Sequence, residues 1–140
     1  MKMIAIGDKI RRDELKERLQ TELHEVDYVD DIAHALREFD VIFDLNFDDH
    51  PSNLDHYAEI DKPVILNAVK VQLAQLFSIV PEMKCRLIGI NALPTFINRP
   101  LAEISLLHGN DETSVRQLFT ELNWEPEIVQ DRVGMVTPRI

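Results

Sequence analysis

Short apolar runs alternate with longer amphipathic stretches from one end of this chain to the other, the pattern of a parallel sheet whose strands are joined by helical crossovers. The clearest strands are Met3–Gly7, Val41–Leu45, Val64–Asn67 and Arg86–Ile90. Each is nearly continuous in Val, Ile, Leu or Phe, as expected of strands covered on both faces. Glu25–Val29, Leu101–Leu107 and Glu127–Val129 read as further, weaker strands. Between the first two, Leu15, Leu19 and Leu23 recur every fourth residue with Glu14 and Arg18 on the wet face, which makes an amphipathic helix. More helices are expected at Ile32–Glu38, Asn53–Glu59, Gln72–Val80 and Glu112–Asn123. Asn110 or Asp111 caps the last of these, and Pro51 with Ser52 opens the helix after the strand ending at Leu45.

No linker, repeat or shift in composition divides the 140 residues, so residues 1–140 are expected to form one domain around one core. A hydrophobic share of 45% with 29% charged residues belongs to a globular chain rather than a disordered or membrane-spanning one. The apolar start from Met1 to Gly7 is too short for a secretory signal, and Cys85 has no second cysteine to pair with, so a cytoplasmic location and no membrane association are expected. The net charge of -10 argues against nucleic acid as a partner. It also opposes dinucleotides and coenzyme A unless local cations or helix N-termini offset the field.

An ordered series of segments in the last third carries a resemblance. Arg86-Leu87-Ile88-Gly89-Ile90-Asn91 leads through Pro94 and Pro100 to Leu101-Ala102-Glu103-Ile104. Asn110-Asp111-Glu112-Thr113 then opens a helix, Leu122 to Val129 follows, and the chain runs on through Asp131-Arg132-Val133-Gly134-Met135-Val136-Thr137-Pro138-Arg139-Ile140. Together with the strand, helix and acid-ended strand at the start, this resembles the NAD-binding N-terminal domain of 3-hydroxyacyl-CoA (3-hydroxybutyryl-CoA) dehydrogenases. The resemblance implies an α/β, Rossmann-like doubly wound, mostly parallel sheet with helices on both faces. It also implies that the family's helical C-terminal substrate domain, which follows the arginine resembling Arg139, is absent from this sequence.

Members of that family run from the first strand into G-x-G-x-x-G, whose glycines make the turn, admit the pyrophosphate and let helix and strand pack closely. The matching stretch is Gly7-Asp8-Lys9-Ile10-Arg11-Arg12, which keeps only the first glycine. Lys9 stands where phosphate should meet bare backbone, Arg12 where close packing is wanted, and Asp8 adds a negative charge. Asp30 resembles the acid that binds the adenosine ribose. Gly7, Lys9, Arg12 and Asp30 are therefore the candidate cofactor-binding residues, with Lys9, Arg11 and Arg12 able to replace backbone contacts by charge. The alternative is a solvated basic helix start with Asp30 as a cap. On balance no cofactor is expected, and NAD is the one left open.

The family's catalytic His corresponds to Asn91, whose amide cannot act as a base near neutral pH. The acid that orients the His corresponds to Glu103, which here has no histidine to orient and reads rather as a residue at a strand edge facing water. Asn67-Ala68-Val69-Lys70-Val71 and Pro138 stand where the family keeps further polar substrate contacts. Losing a general base alone lowers a rate by roughly a hundred- to ten-thousand-fold. Asn91 and Glu103 are thus vestigial candidates, and no catalytic residue is assigned.

Asp48, Asp49, His50, Asp55 and His56 place five potential metal ligands within nine residues, but in no recognised ligand spacing. Loop and helix-cap chemistry is the expected reading, and no metal is assigned. Cys85 reads as a buried, inert thiol, and Phe96 and Trp124 as packing residues. The sequence favours a non-catalytic binding or interaction module, a pseudoenzyme, working as a homo-oligomer or with a separate protein partner. The alternatives are an NAD-dependent oxidoreductase subunit acting on 3-hydroxyacyl-CoA with a separate substrate-domain chain, and a nucleotide-sensing regulatory domain.

Overall fold

The computed structural model describes residues 1–19, 24–29, 39–79, 85–93, 95–106 and 111–129. The expected helix at Ile32–Glu38, the candidate Asp30 and the segment from Asp131 to Ile140 lie outside the described residues. Seven strands form one sheet: β1 (Lys2–Ile6), β2 (Glu25–Val29), β3 (Val41–Asp44), β4 (Pro63–Asn67), β5 (Arg86–Ile90), β6 (Leu101–Leu106) and β7 (Glu125–Val129). Their order is β2-β1-β3-β4-β5-β6-β7. All neighbours are parallel except β5 and β6, which pair antiparallel through Ile88 with Leu106, Gly89 with Ser105 and Ile90 with Ile104.

The helices are α1 (Lys9–Arg18), α2 (Leu54–Tyr57), α3 (Leu73–Ile79) and α4 (Glu112–Glu121), with short 3-10 turns at Phe47–Asp49 and Pro51–Asn53. Alternate strand residues feed two cores. On one side, Met3, Ala5, Phe43, Ile65, Ile88, Ile90 and Ile104 pack against Leu15 and Leu19 of α1 and Val115 and Phe119 of α4. On the other, Ile4, Ile6, Ile42, Val64, Leu66 and Leu87 pack against Leu54, Tyr57, Leu73 and Leu76. Burying an aliphatic side chain of this size contributes on the order of 2 kcal/mol, so both faces hold the sheet.

Local chemistry sets the helix ends. Asp8 caps α1, its carboxylate accepting from the Arg11 N–H at 2.9 Å, and Lys16 and Arg18 fall in the last turn where the dipole favours cations. Asp111 caps α4 by accepting from the Thr113 and Ser114 N–H groups, and Asn123 follows that helix at φ 70°, the left-handed conformation asparagine tolerates well. Two expectations need correction. Glu14 is buried, at 8% exposure, because the segment after β5 covers that side of α1. Glu103 sits not at a sheet edge but on β6, flanked by β5 and β7, and is half-buried. β7 also begins two residues earlier than expected, with Pro126 inside it, tolerated because β7 is the outermost strand.

Candidate functional site

In an open parallel sheet, ligands bind beyond the carboxyl ends of the strands, where the chain leaves neighbouring strands in opposite directions. Here that point lies between β1, which leads to β2 on one side, and β3 on the other. Its floor is tight. A Cβ added at Gly7 would lie 3.2 Å from both Cβ and Cδ1 of Leu45, so any side chain there would have to push the Leu45 side chain aside by a few tenths of an ångström.

Arg11 fills the space above this floor. Its Nε donates to the Ala92 carbonyl at 2.7 Å, and one terminal nitrogen donates to the Asn46 side-chain carbonyl at 3.1 Å and to the Asp8 carboxylate at 2.7 Å. The guanidinium side chain is 12% exposed. One cation therefore ties the ends of β1, β3 and β5 together. The same Asn46 oxygen also accepts from the Asp8 N–H at 3.4 Å. At the N-terminus of α1, where a phosphate would be attracted, the chain supplies its own anion in Asp8. Lys9 points away into solvent and pairs with Asp13 at 2.8 Å, and Arg12 is half-buried on the same helix. A carboxylate thus stands at the start of α1, and the Arg11 guanidinium lies between the strand ends.

Ala92, Thr95 and Asn98 meet α1 in a regular register. Arg11 bonds Ala92, Glu14 accepts from the Thr95 N–H, and Glu17 accepts from the Asn98 side-chain amide at 3.3 Å. Each rung joins residues 81 apart, so helix and segment advance together by three residues per step. Arg18 adds a bond to the Asn98 carbonyl at 3.2 Å, and the Trp124 indole N–H fixes the Ile97 carbonyl at 3.1 Å.

Asn91 directly follows β5, and Glu103 lies on the neighbouring strand β6, next to Ile104, the last residue of β6 bonded to β5 in this register. Asn91 is buried, its side-chain oxygen accepts from the Leu93 N–H at 3.1 Å, and its amide nitrogen has no hydrogen-bond partner among the described residues. Asn67, also buried, accepts from the Ala92 N–H at 3.0 Å and so helps hold the segment that Arg11 clamps.

The acidic stretch after β3 is structural in its contacts. Asp48 accepts from the Val69 and Lys70 N–H groups, pinning the turn after β4, and burial raises its pKa against the lowering effect of those bonds. Asp49 pairs with Lys70 at 3.7 Å, while Asp55 and His56 are exposed on α2. Among the described residues no group of three or more His, Cys, Asp or Glu side chains is placed to hold a metal ion. Cys85 is buried, and burial pushes its thiol up to about 11. Trp124 packs in the core with ring centroids 5.7 Å from Phe119 and 6.1 Å from Phe43, and Phe96 carries the Arg99 guanidinium over its ring at 4.0 Å.

One group escaped the sequence reading altogether. Asp44, fully buried at the end of β3, accepts on one oxygen from the Tyr57 hydroxyl at 2.5 Å and from the Asn53 amide at 3.1 Å. Its other oxygen has no partner among the described residues, and burial raises its pKa despite both bonds. Tyr57 is raised in turn, chiefly by burial and then by the neighbouring carboxylate.

No family model matches this chain, and no curated protein matches it in sequence. Solved structures do match its fold. A 3-hydroxyacyl-CoA dehydrogenase from Archaeoglobus fulgidus superposes with a TM-score of 0.65 at 13% identity, over 94% of this chain and 57% of that one. A reductive aminase from Aspergillus terreus, in complex with NADPH and ethyl levulinate, gives 0.65 at 14% identity over 95% and 56%. An (S)-3-hydroxybutyryl-CoA dehydrogenase from Ralstonia eutropha gives 0.61 at 10% identity over 95% and 64%. The chain thus spans less than two thirds of the length of each. At such identities the likeness is one of fold, and that fold is the Rossmann-like α/β domain of these dehydrogenases and reductases. Among the described residues no helix is long and apolar enough to cross a membrane.

Proposed function

We propose that this chain is a degenerate relative of the 3-hydroxyacyl-CoA dehydrogenase NAD-binding domain that acts as a non-catalytic binding or interaction module. The observation that carries this reading is Arg11, which spans the crevice between β1 and β3 and reaches the Ala92 carbonyl at 2.7 Å. With Asp8 as the anion at the start of α1, the module holds in its own side chains the contacts that related enzymes reserve for a ligand. Asn91 supports the same reading, since an amide cannot take a proton from a substrate hydroxyl. Such a module works through its surface, alone as a homo-oligomer or with another protein.

A second reading, an NAD-dependent oxidoreductase subunit completed by a separate substrate-domain chain, is favoured by one observation: the solved structures of similar fold are enzymes, one of them bound to NADPH. On that reading Arg11 and Asp8 would separate, and Lys9 and Arg12 would meet the phosphates. Incubating the chain with NADH and a 3-ketoacyl-CoA decides between the two. The module consumes no NADH, whereas turnover above the protein-free rate would restore the enzyme. Light scattering across a concentration series tests self-association, which a monomer at all concentrations would exclude.

A further inference from the structure

A separate pocket lies where β4 and β5 begin, at the edge of the sheet opposite the crevice. Pro63, Arg86 and Ile88 line it from the strands, and Asp111, Val115 and Leu118, whose spacing puts them on one helical face, line it from the side of α4. Its volume is about 190 Å³, below the roughly 300–1,000 Å³ of pockets that hold drug-sized ligands, so its occupant is small. Pro63, Ile88, Val115 and Leu118 make the walls apolar, and the body of the occupant must match them. Two opposite charges share this space. Arg86 is exposed and permanently cationic, and its guanidinium has no hydrogen bond or ion pair among the described residues. Asp111 is held ionised, chiefly by the bond from the Ser114 hydroxyl. Its carboxylate accepts from the Thr113 and Ser114 N–H groups and from that hydroxyl, three of the roughly four bonds a carboxylate can take, so one position is left. A simple anion would meet Arg86 but be repelled by Asp111, and a simple cation would suffer the reverse. A zwitterion satisfies both.

We propose that this pocket binds a small apolar α-amino acid of about the size of leucine, with its carboxylate on Arg86, its ammonium on Asp111 and its side chain against Ile88, Val115 and Leu118. The site shares no residue with the Arg11 crevice and stands or falls independently of it. It gives the proposed module a small ligand of its own, at the other edge of the sheet.

Titration of the intact, isotope-labelled chain with L-leucine, followed by NMR, tests it. The amides of Arg86, Val115 and Leu118 are expected to shift saturably with a Kd on the order of 0.1 mM, within the ceiling for so small a ligand, while those of Gly7 to Arg12 stay in place. Asp111 also caps α4, so its part is read from the ligand rather than from a variant. Isovalerate, which lacks the ammonium, and isoamylamine, which lacks the carboxylate, should each bind at least about tenfold more weakly than leucine, the loss of one charged hydrogen bond. Arg86→Gln, an exposed substitution, should weaken leucine about tenfold and leave isoamylamine unchanged. The absence of saturable shifts up to about 10 mM leucine would overturn the proposal. So would isovalerate or isoamylamine binding as tightly as leucine, or leucine binding undiminished in Arg86→Gln.

Discussion

Arg11 and Ala92 are 81 residues apart, and a 2.7 Å hydrogen bond from the guanidinium of one to the carbonyl of the other closes the carboxyl edge of the sheet. The turn after β1 and the end of β5 are thereby tied to each other. Asp8 and Asn46 complete the hydrogen bonding of this cation at the sheet edge of a chain whose net charge is -10.

Removing that cation should loosen the fold. Arg11→Met keeps the aliphatic stem but loses the donors, leaving the Ala92 carbonyl and the Asp8 carboxylate without them. A loss of about 2 kcal/mol in urea-unfolding stability is expected, typical of hydrogen bonds to charged groups. Arg11→Lys should recover less than half, because an ammonium cannot present the fork that reaches Ala92 and Asn46 together. Full recovery by lysine would mean that charge alone matters at this position.

Asp44 gives the fold a pH dependence of unusual sign for a carboxylate. Its folded pKa lies above the unfolded value because burial outweighs the bonds from Tyr57 and Asn53. Its charge therefore costs stability, which declines as pH rises from near 3.8 through the raised folded value and then levels off. Asp44→Asn keeps an oxygen for both donors and removes the charge. Relative to wild type it should be more stable at pH 7, with the difference vanishing near pH 3. Thermal unfolding at the two pH values checks this, and a variant less stable at neutral pH would show the charge to be favourable in place.

Tyr57→Phe should act the other way. It removes the hydroxyl donor from the Asp44 carboxylate, which keeps the Asn53 amide, in the same buried site. The expected cost at neutral pH is about 2 kcal/mol, shrinking as the carboxyl protonates. A uniform cost across pH would assign the effect to packing.

Gly89 marks a close approach between β5 and β6. A Cβ there would stand 2.3 Å from the Ser105 hydroxyl oxygen and 3.0 Å from the Ala68 Cβ. Gly89→Ala should cost roughly 1–3 kcal/mol by overpacking, and pairing it with Ser105→Gly should recover most of that loss. Fluorescence of Trp124, the single tryptophan, follows the unfolding of each variant. Additive effects of the two substitutions would contradict the contact.

The sheet was legible in the sequence because strands buried on both faces, such as Val41–Asp44 and Arg86–Ile90, write their burial into unbroken apolar runs. β7 was half-read, since Pro126 disguised its start and only the outer position in the sheet makes that proline harmless. Glu14 was misread because periodicity sees one helix at a time, and the cover that buries it comes from Thr95. The loss of glycines after Gly7 was visible, but the part Arg11 plays in tying the strand ends together was not. That role depends on Asn46 and Ala92, whose distances in sequence leave no local pattern. Asp44 likewise looked like one more residue of a buried strand until Tyr57 and Asn53 closed over it.

The most direct test of the filled crevice is calorimetric titration of the purified chain with NAD and NADH at low salt, where screening is weakest and any phosphate site binds best. A crevice occupied by Arg11 and Asp8 predicts no heat of binding and no rise in Tm at millimolar ligand. Saturable binding in the micromolar range, with a matching rise in Tm, would contradict it and return the chain to the cofactor-binding proteins whose fold it shares.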